Sequence, residues 1–281
     1  MEPVILGLKL LLAPALVVLS SLAGRRWGPA VTGVLIALPM VAGPILLLTY
    51  LDHGAAFAAH AAAGALLGLG TLALFAVVLT RAGGRFPWTA SLAITWGACL
   101  VADLTLSTVD APPAIGLPIA LAATAAARRR LADRRAAPRS TVAPPVPAAA
   151  ATPGWPWWDL PARALATAVL VLMVTGSAAA LGPQFTGVLA PFPIATSVVA
   201  GFTLARQGPA ATRSLLRGLL DGMVGFALFC FLVAVLLERL GGPVTFTCAF
   251  AAAPVAQLAL RRLTPQPDAP VQPHPEVATE A

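Results

Sequence analysis

The charged residues of this chain sit in a few short clusters, and between the clusters it runs apolar for 18 residues or more, again and again. A helix of that length crosses about 30 Å of hydrocarbon. Only 10% of the 281 residues are charged and 58% are hydrophobic, whereas a soluble domain carries about 25% charged residues. The sequence is therefore that of an all-α integral membrane protein.

The apolar runs fall at roughly 3–22, 29–51, 56–80, 88–106, 112–127, 160–180, 184–205, 214–237 and 243–260. The fifth is short and interrupted by proline, and charge decides whether it counts. With nine spans and the N-terminus outside, sixteen basic residues lie on the cytoplasmic side. Arg239 alone lies outside, and Lys9 is within the first span. Without the fifth span the distribution becomes five inside and twelve outside, against the positive-inside rule. The expectation is nine spans in a bacterial inner membrane, with a periplasmic N-terminus and a cytoplasmic C-terminus. Met1–Leu10 has an acidic Glu2 where a signal peptide would be basic, so it reads as a retained first span. The net charge of +7 resides in loops and helix ends, which argues against nucleic-acid binding. Cys99, Cys230 and Cys248 fall in apolar runs without metal-ligand spacing and read as small core residues.

The stretch GPAVTGVLIALP, Gly28 to Pro39, returns as GPQFTGVLAPFP, Gly182 to Pro193, with seven of twelve positions identical at an offset of 154. At the same offset Lys9 meets Arg163, Gly54 meets Gly208, Gly64 meets Gly218 and Gly68 meets Gly222. The ALF at 73–75 meets the ALF at 227–229. After a four-residue insertion, Gly83-Gly84 meets Gly241-Gly242. Spans one to four thus repeat as six to nine, and the odd fifth span inverts the second copy. Charge agrees, because Arg25 and Arg26 mark the first connection while LGPQF, its counterpart, has none. The expected domains are a first repeat at 1–106, a linking span at 107–130, a cytoplasmic linker at 131–159, a second, inverted repeat at 160–263 and a disordered tail at 264–281. Trp155, Trp157 and Trp158 suit an interfacial aromatic anchor.

Inverted repeats recur in secondary transporters, whose sites lie where the repeats meet. Pro39 and Pro193 fall near mid-span, where proline removes a backbone donor and kinks or breaks the helix. The alternatives are a substrate site and a packed structural kink. Thr32 and Thr186 occupy matched places and can bond to the freed backbone. Lys9 and its counterpart Arg163 are either snorkelling anchors or cationic groups for an anionic substrate or headgroup. Asp221, one turn after Arg217, reads as half of an i,i+4 ion pair or as a protonatable coupling site. Asp103 either pairs with Lys9 or faces water, and His60 has the chemistry for proton coupling. The Gly64/Gly68 and Gly218/Gly222 pairs read as small-residue patterns that let helices pack closely. The sequence contains no metal cluster, phosphate-binding loop, catalytic triad or cofactor motif, and its reactive polar groups are too few for an enzyme.

Each half resembles the small four-span inner-membrane proteins of the GlpM family. Those show a basic residue early in span one and a Gly-x-x-Pro-x-Phe-Pro-like motif in span two. The second half carries Arg163 and GVLAPFP, Gly187 to Pro193, while the first has GVLIALP without the phenylalanine. The resemblance implies a duplicated single-repeat ancestor fused as an antiparallel pair, and points toward the cell envelope. Two functions fit these readings. One is a permease working by alternating access, with the lipid bilayer around it and a small-molecule or lipid substrate. The other is a non-transporting scaffold or subunit in envelope assembly. An oligomer is compatible with either.

Overall fold

The computed structural model describes residues 15, 17–37, 42–106, 108–109, 111–132, 158–169 and 193–263. Lys9, Pro39, Thr186, most of the linker and the tail lie outside the described residues. Among the described residues the regular structure is helical throughout. In chain order the helices are α1 (17–27), α2 (Pro29–Ala37), α3 (Ala42–Ala82), α4 (Trp88–Leu106), α5 (Pro113–Ala132), α6 (159–169), α7 (Ile194–Leu240) and α8 (Gly242–Leu263). Four segments are long and apolar enough to cross a membrane: His53–Ala82, Trp88–Leu106, Ile194–Leu240 and Gly242–Ala259. Large apolar side chains such as Leu51, Trp88, Val101, Leu165 and Val255 project outward, as a lipid-facing surface requires. The protein is embedded in the membrane.

Gly28, Gly54, Gly208 and Gly241 each join two helical segments through a single residue rather than a loop. Between the second and third apolar runs the expected connection, LDHG at 51–54, narrows to Gly54 (φ 84°, ψ 178°), which breaks α3. Between the seventh and eighth runs the expected connection, RQGPAATR at 206–213, narrows to Gly208 (φ 80°, ψ −175°), which breaks α7. A positive φ with an extended ψ is accessible to glycine and almost no other residue. Pro209 then opens the next turn at a position where its missing N–H costs nothing. The two breaks lie 154 residues apart and have nearly the same dihedrals.

The buried positions keep that spacing. Leu66 and Leu220 are both fully buried, as are Phe75 and Phe229. The inward stripe of α4, Ser91, Thr95, Cys99 and Asp103, matches Thr245, Ala249, Ala253 and Gln257 of α8. The four-residue insertion therefore has a definite place. Gly83 caps α3 through its N–H to Leu79 O, and Gly241 caps α7 through its N–H to Leu237 O, 158 residues on. The next helices start at Trp88 and Gly242, which restores 154. The second copy has one extra helical turn, and its connection is four residues shorter.

The halves interlock by reciprocal contacts. Trp96 Nε1 donates to Ser197 Oγ at 2.8 Å, joining α4 of the first half to α7 of the second. The residues 154 away, Phe250 and Gly43, also meet, since a Cβ on Gly43 would strike the Phe250 ring. Leu204 packs over Gly83, and Tyr50, 154 residues before Leu204, packs over Gly242, the residue after the counterpart of Gly83.

Candidate functional site

The first copy of the repeated motif, Gly28 to Ala37, builds one wall of the site. Gly28 (φ 91°) turns the chain from α1 into α2, and Pro29 starts the new helix. Thr32 then lies directly on Gly24, where any Cβ would collide with its hydroxyl. Gly33 faces the other way. A Cβ there would strike the Leu215 carbonyl, and one on Gly218 would strike the Ala30 carbonyl. A Cβ on Gly222 would meet Ala37 and Val34. The Gly218/Gly222 pair thus seats α2 against α7, backbone to backbone, as small residues in membrane helices do. The packing role expected of Gly218 and Gly222 is met against α2, whereas a Cβ on Gly64 would meet nothing within 4 Å, so close packing does not extend to that residue.

Asp159, at the start of α6, is fully buried. Its Oδ2 accepts from Arg25 Nη2 at 2.9 Å and from Arg163 Nε at 3.0 Å, and Arg206 Nε lies 3.4 Å from Oδ1. Three guanidiniums from α1, α6 and α7 therefore share one carboxylate. Arg163 is itself 2% exposed and lies 4.9 Å from the Phe202 ring centroid, and Arg206 lies 4.3 Å from that of Trp158. An aromatic face under each cation replaces part of the lost hydration. Trp158 thus has a specific charged neighbour beyond its expected anchoring role.

Beside this cluster lies a cavity of about 20 Å³, bordered by Ser21, Arg25, Thr32, Arg163, Thr203 and Gln207 among others. That is room for about one water molecule or one oxygen atom. Ser21 is 7% exposed, and its Oγ is buried without a hydrogen-bond partner. Pro29, the first residue of α2, also borders the cavity.

Of the residues singled out from sequence, Thr32 and Arg163 come together here. Pro193 does not line the cavity. It is buried and marks the start of α7, with φ −75° and ψ 57°. Asp221 pairs with Arg128 of α5 at 3.0 Å, while Arg217 Nη2 donates to Leu131 O at 2.6 Å. Both contacts tie the linking helix to the second half. Asp103 lies elsewhere, on α4 against α3. Thr71 Oγ1 donates to its Oδ1 at 2.6 Å, and its Oδ2 is buried without a partner. Its counterpart Gln257 lies beside Gly225, the counterpart of Thr71, where a Cβ would come within 3.3 Å of Gln257 Oε1. His60 is exposed on α3, and Cys248 is exposed rather than in the core.

Sequence reasoning missed Asp159 and Ser21, and it counted Arg25 and Arg206 only as loop charges. Asp159 carried a signal, since DLPAR sets it one helical turn before Arg163, the spacing already weighed for Arg217 and Asp221. Nothing local marked Arg25 or Arg206 as its other partners.

Comparison with protein-family models, with curated proteins and with solved structures gives no match for this chain.

Proposed function

We propose that this protein is a membrane permease for an anionic substrate. It works by alternating access between two inverted four-helix repeats, residues 1–106 and 160–263, joined by the helix at 107–130. The carrying observation is the cavity at the seam, to which the first repeat brings Ser21, Arg25 and Thr32 and the second Arg163, Thr203 and Gln207. A transporter places its binding groups between halves so that movement of one against the other exposes them to either side. Support for the repeat comes from the matched breaks at Gly54 and Gly208 and from the reciprocal contacts at a spacing of 154. A twofold relation generates such pairs, and the charge pattern favours an axis in the membrane plane.

A second reading, a non-transporting scaffold in the cell envelope, is favoured by the size of the cavity, which at about 20 Å³ is smaller than any metabolite. Accessibility separates the two without knowledge of the substrate. Ser21→Cys, in a background with Cys99, Cys230 and Cys248 replaced, is treated with a membrane-impermeant thiol reagent in vesicles of known orientation. A permease predicts labelling from both faces. Labelling from one face only supports the scaffold.

A further inference from the structure

Asp103 is an acid that the α3–α4 interface buries without a cation. It is 5% exposed and lies three residues before the end of α4. Its Oδ1 accepts from Thr71 Oγ1 at 2.6 Å, and its Oδ2 is buried without a hydrogen-bond partner. Among the described residues α4 packs chiefly against α3 and also against α7. From α3 the facing group is Thr71, and the flanking ionisable residues, His60 and Arg81, stand eleven and ten residues along the helix, at least about 15 Å away. α7 meets α4 where Trp96 donates to Ser197, and its first ionisable group, Arg206, comes nine residues later. On α4 itself the ionisable neighbour is Cys99, one turn earlier, whose Sγ donates to Thr71 O at 3.8 Å. A carboxylate held in such surroundings by a single hydroxyl is strongly disfavoured, whereas the neutral acid leaves only one O–H without an acceptor. The second repeat has the same arrangement. Gln257, 154 residues on, is 6% exposed, and its Nε2 is also buried without a partner. Both copies place an uncharged polar head here, and only the first can become charged.

We infer that Asp103 is a proton-binding site whose discharge opens the α3–α4 interface. In the closed arrangement the proton sits on Oδ2, and Oδ1 is the carbonyl oxygen that accepts from Thr71. Discharge passes that proton to water and leaves an anion that must be hydrated. Water then has to enter beside Oδ2, so the last turn of α4 has to part from α3 at Thr71. That turn is the end of its helix, and its release leaves the rest of α4 in place. The inference deepens the permease reading by naming the proton as its coupling ion, and rests on that reading for transport alone. Labelling of Ser21→Cys from one face would remove transport and leave proton binding and opening measurable.

The full chain in nanodiscs is titrated with pH by infrared difference spectroscopy, wild type against Asp103→Asn. At about pH 5.5 exposed Asp and Glu side chains have lost most of their protons, and the wild type should keep a protonated-carboxyl band that Asp103→Asn lacks. Thr71→Val should retain the band and move it to higher frequency, because a carbonyl released from its hydrogen bond stiffens. That shift assigns the band to Asp103 even if Asp103→Asn fails to fold. Opening is read at the native Cys99, in a background with Cys230 and Cys248 replaced. Its modification by a small membrane-permeant thiol reagent rises with pH in any background, through the ionisation of the thiol itself. With Asp103 present the rise should be steeper than with Asp103→Asn by about tenfold per pH unit while the protonated acid prevails, the linkage of one proton. The band and the steeper rise together support the proposal. A band that Asp103→Asn leaves in place and Thr71→Val leaves unshifted, or Cys99 curves that stay parallel in the two backgrounds, overturns it.

Discussion

Glycine at 33, 218 and 222 is required by distance rather than by dihedral angle. Each lies where a Cβ would overlap atoms of the facing helix, the Leu215 and Ala30 carbonyls among them. Gly218→Ala should therefore lower stability by about 1–3 kcal/mol, the usual cost of overpacking. Gly97→Ala, on an open and exposed face of α4, should leave it unchanged. Unfolding midpoints of the two variants in the same detergent make the comparison. At Asp159 the concern is charge. Removing a buried carboxylate from among three guanidiniums leaves them in mutual repulsion, so Asp159→Asn should cost roughly 3–5 kcal/mol. Adding Arg25→Gln should restore part of the loss, because it removes one of the competing cations. No recovery in the double variant would mean that Arg25 is not held by that carboxylate.

At the scale of helices, the single-residue junctions fix the path of the chain. An L-residue at Gly54 or Gly208 must adopt a positive φ with an extended ψ, at a cost of about 1–3 kcal/mol. Space does not contribute, since nothing lies within 4 Å of either missing Cβ. Gly54→Ala and Gly208→Ala should thus destabilise by similar amounts, read from the same unfolding midpoints, and the two effects should add. The Arg128–Asp221 pair between α5 and α7 is of another kind. Its side chains are 38% and 22% exposed, so solvent screens it and Arg128→Gln should cost less than about 1 kcal/mol. Its use is positional, tying the linking helix to the second half. The charge-swapped double variant, Arg128→Asp with Asp221→Arg, should keep the expression and stability of the wild type.

At the scale of the molecule, topology is testable on the described helix ends. Arg130 at the end of α5 and Arg262 at the end of α8 are exposed, as is Arg239 at the end of α7. In a cysteine-free background, Arg130→Cys and Arg262→Cys should label from the cytoplasmic face and Arg239→Cys from the periplasmic face. Labelling of all three from one side would end the nine-span arrangement. The reciprocal pairs Trp96–Ser197 and Phe250–Gly43 hold each half in the grip of the other.

The membrane setting, the helical class and the spacing of 154 were legible in the sequence, because hydropathy and glycine placement are properties of the chain in order. So were two members of the site, since Thr32 and Arg163 stood out by their motif and by their charge within an apolar run. The fate of the connections was not legible. LDHG and RQGPAATR have polar compositions that suit loops, yet a single positive-φ glycine makes each turn while the flanking residues remain helical. Register was hidden for a related reason: the extra turn before Gly241 and the shorter connection after it cancel, and only helix starts and buried faces reveal the return to 154. The meeting of Arg25, Arg163 and Arg206 around Asp159 depended wholly on tertiary structure. Arg25 lies 134 residues from that carboxylate, and no local pattern encodes which distant cation a buried anion will gather. Hydrophobic burial sets which residues leave water, but only the packing of α1, α6 and α7 decides which charges must then share the same dry space.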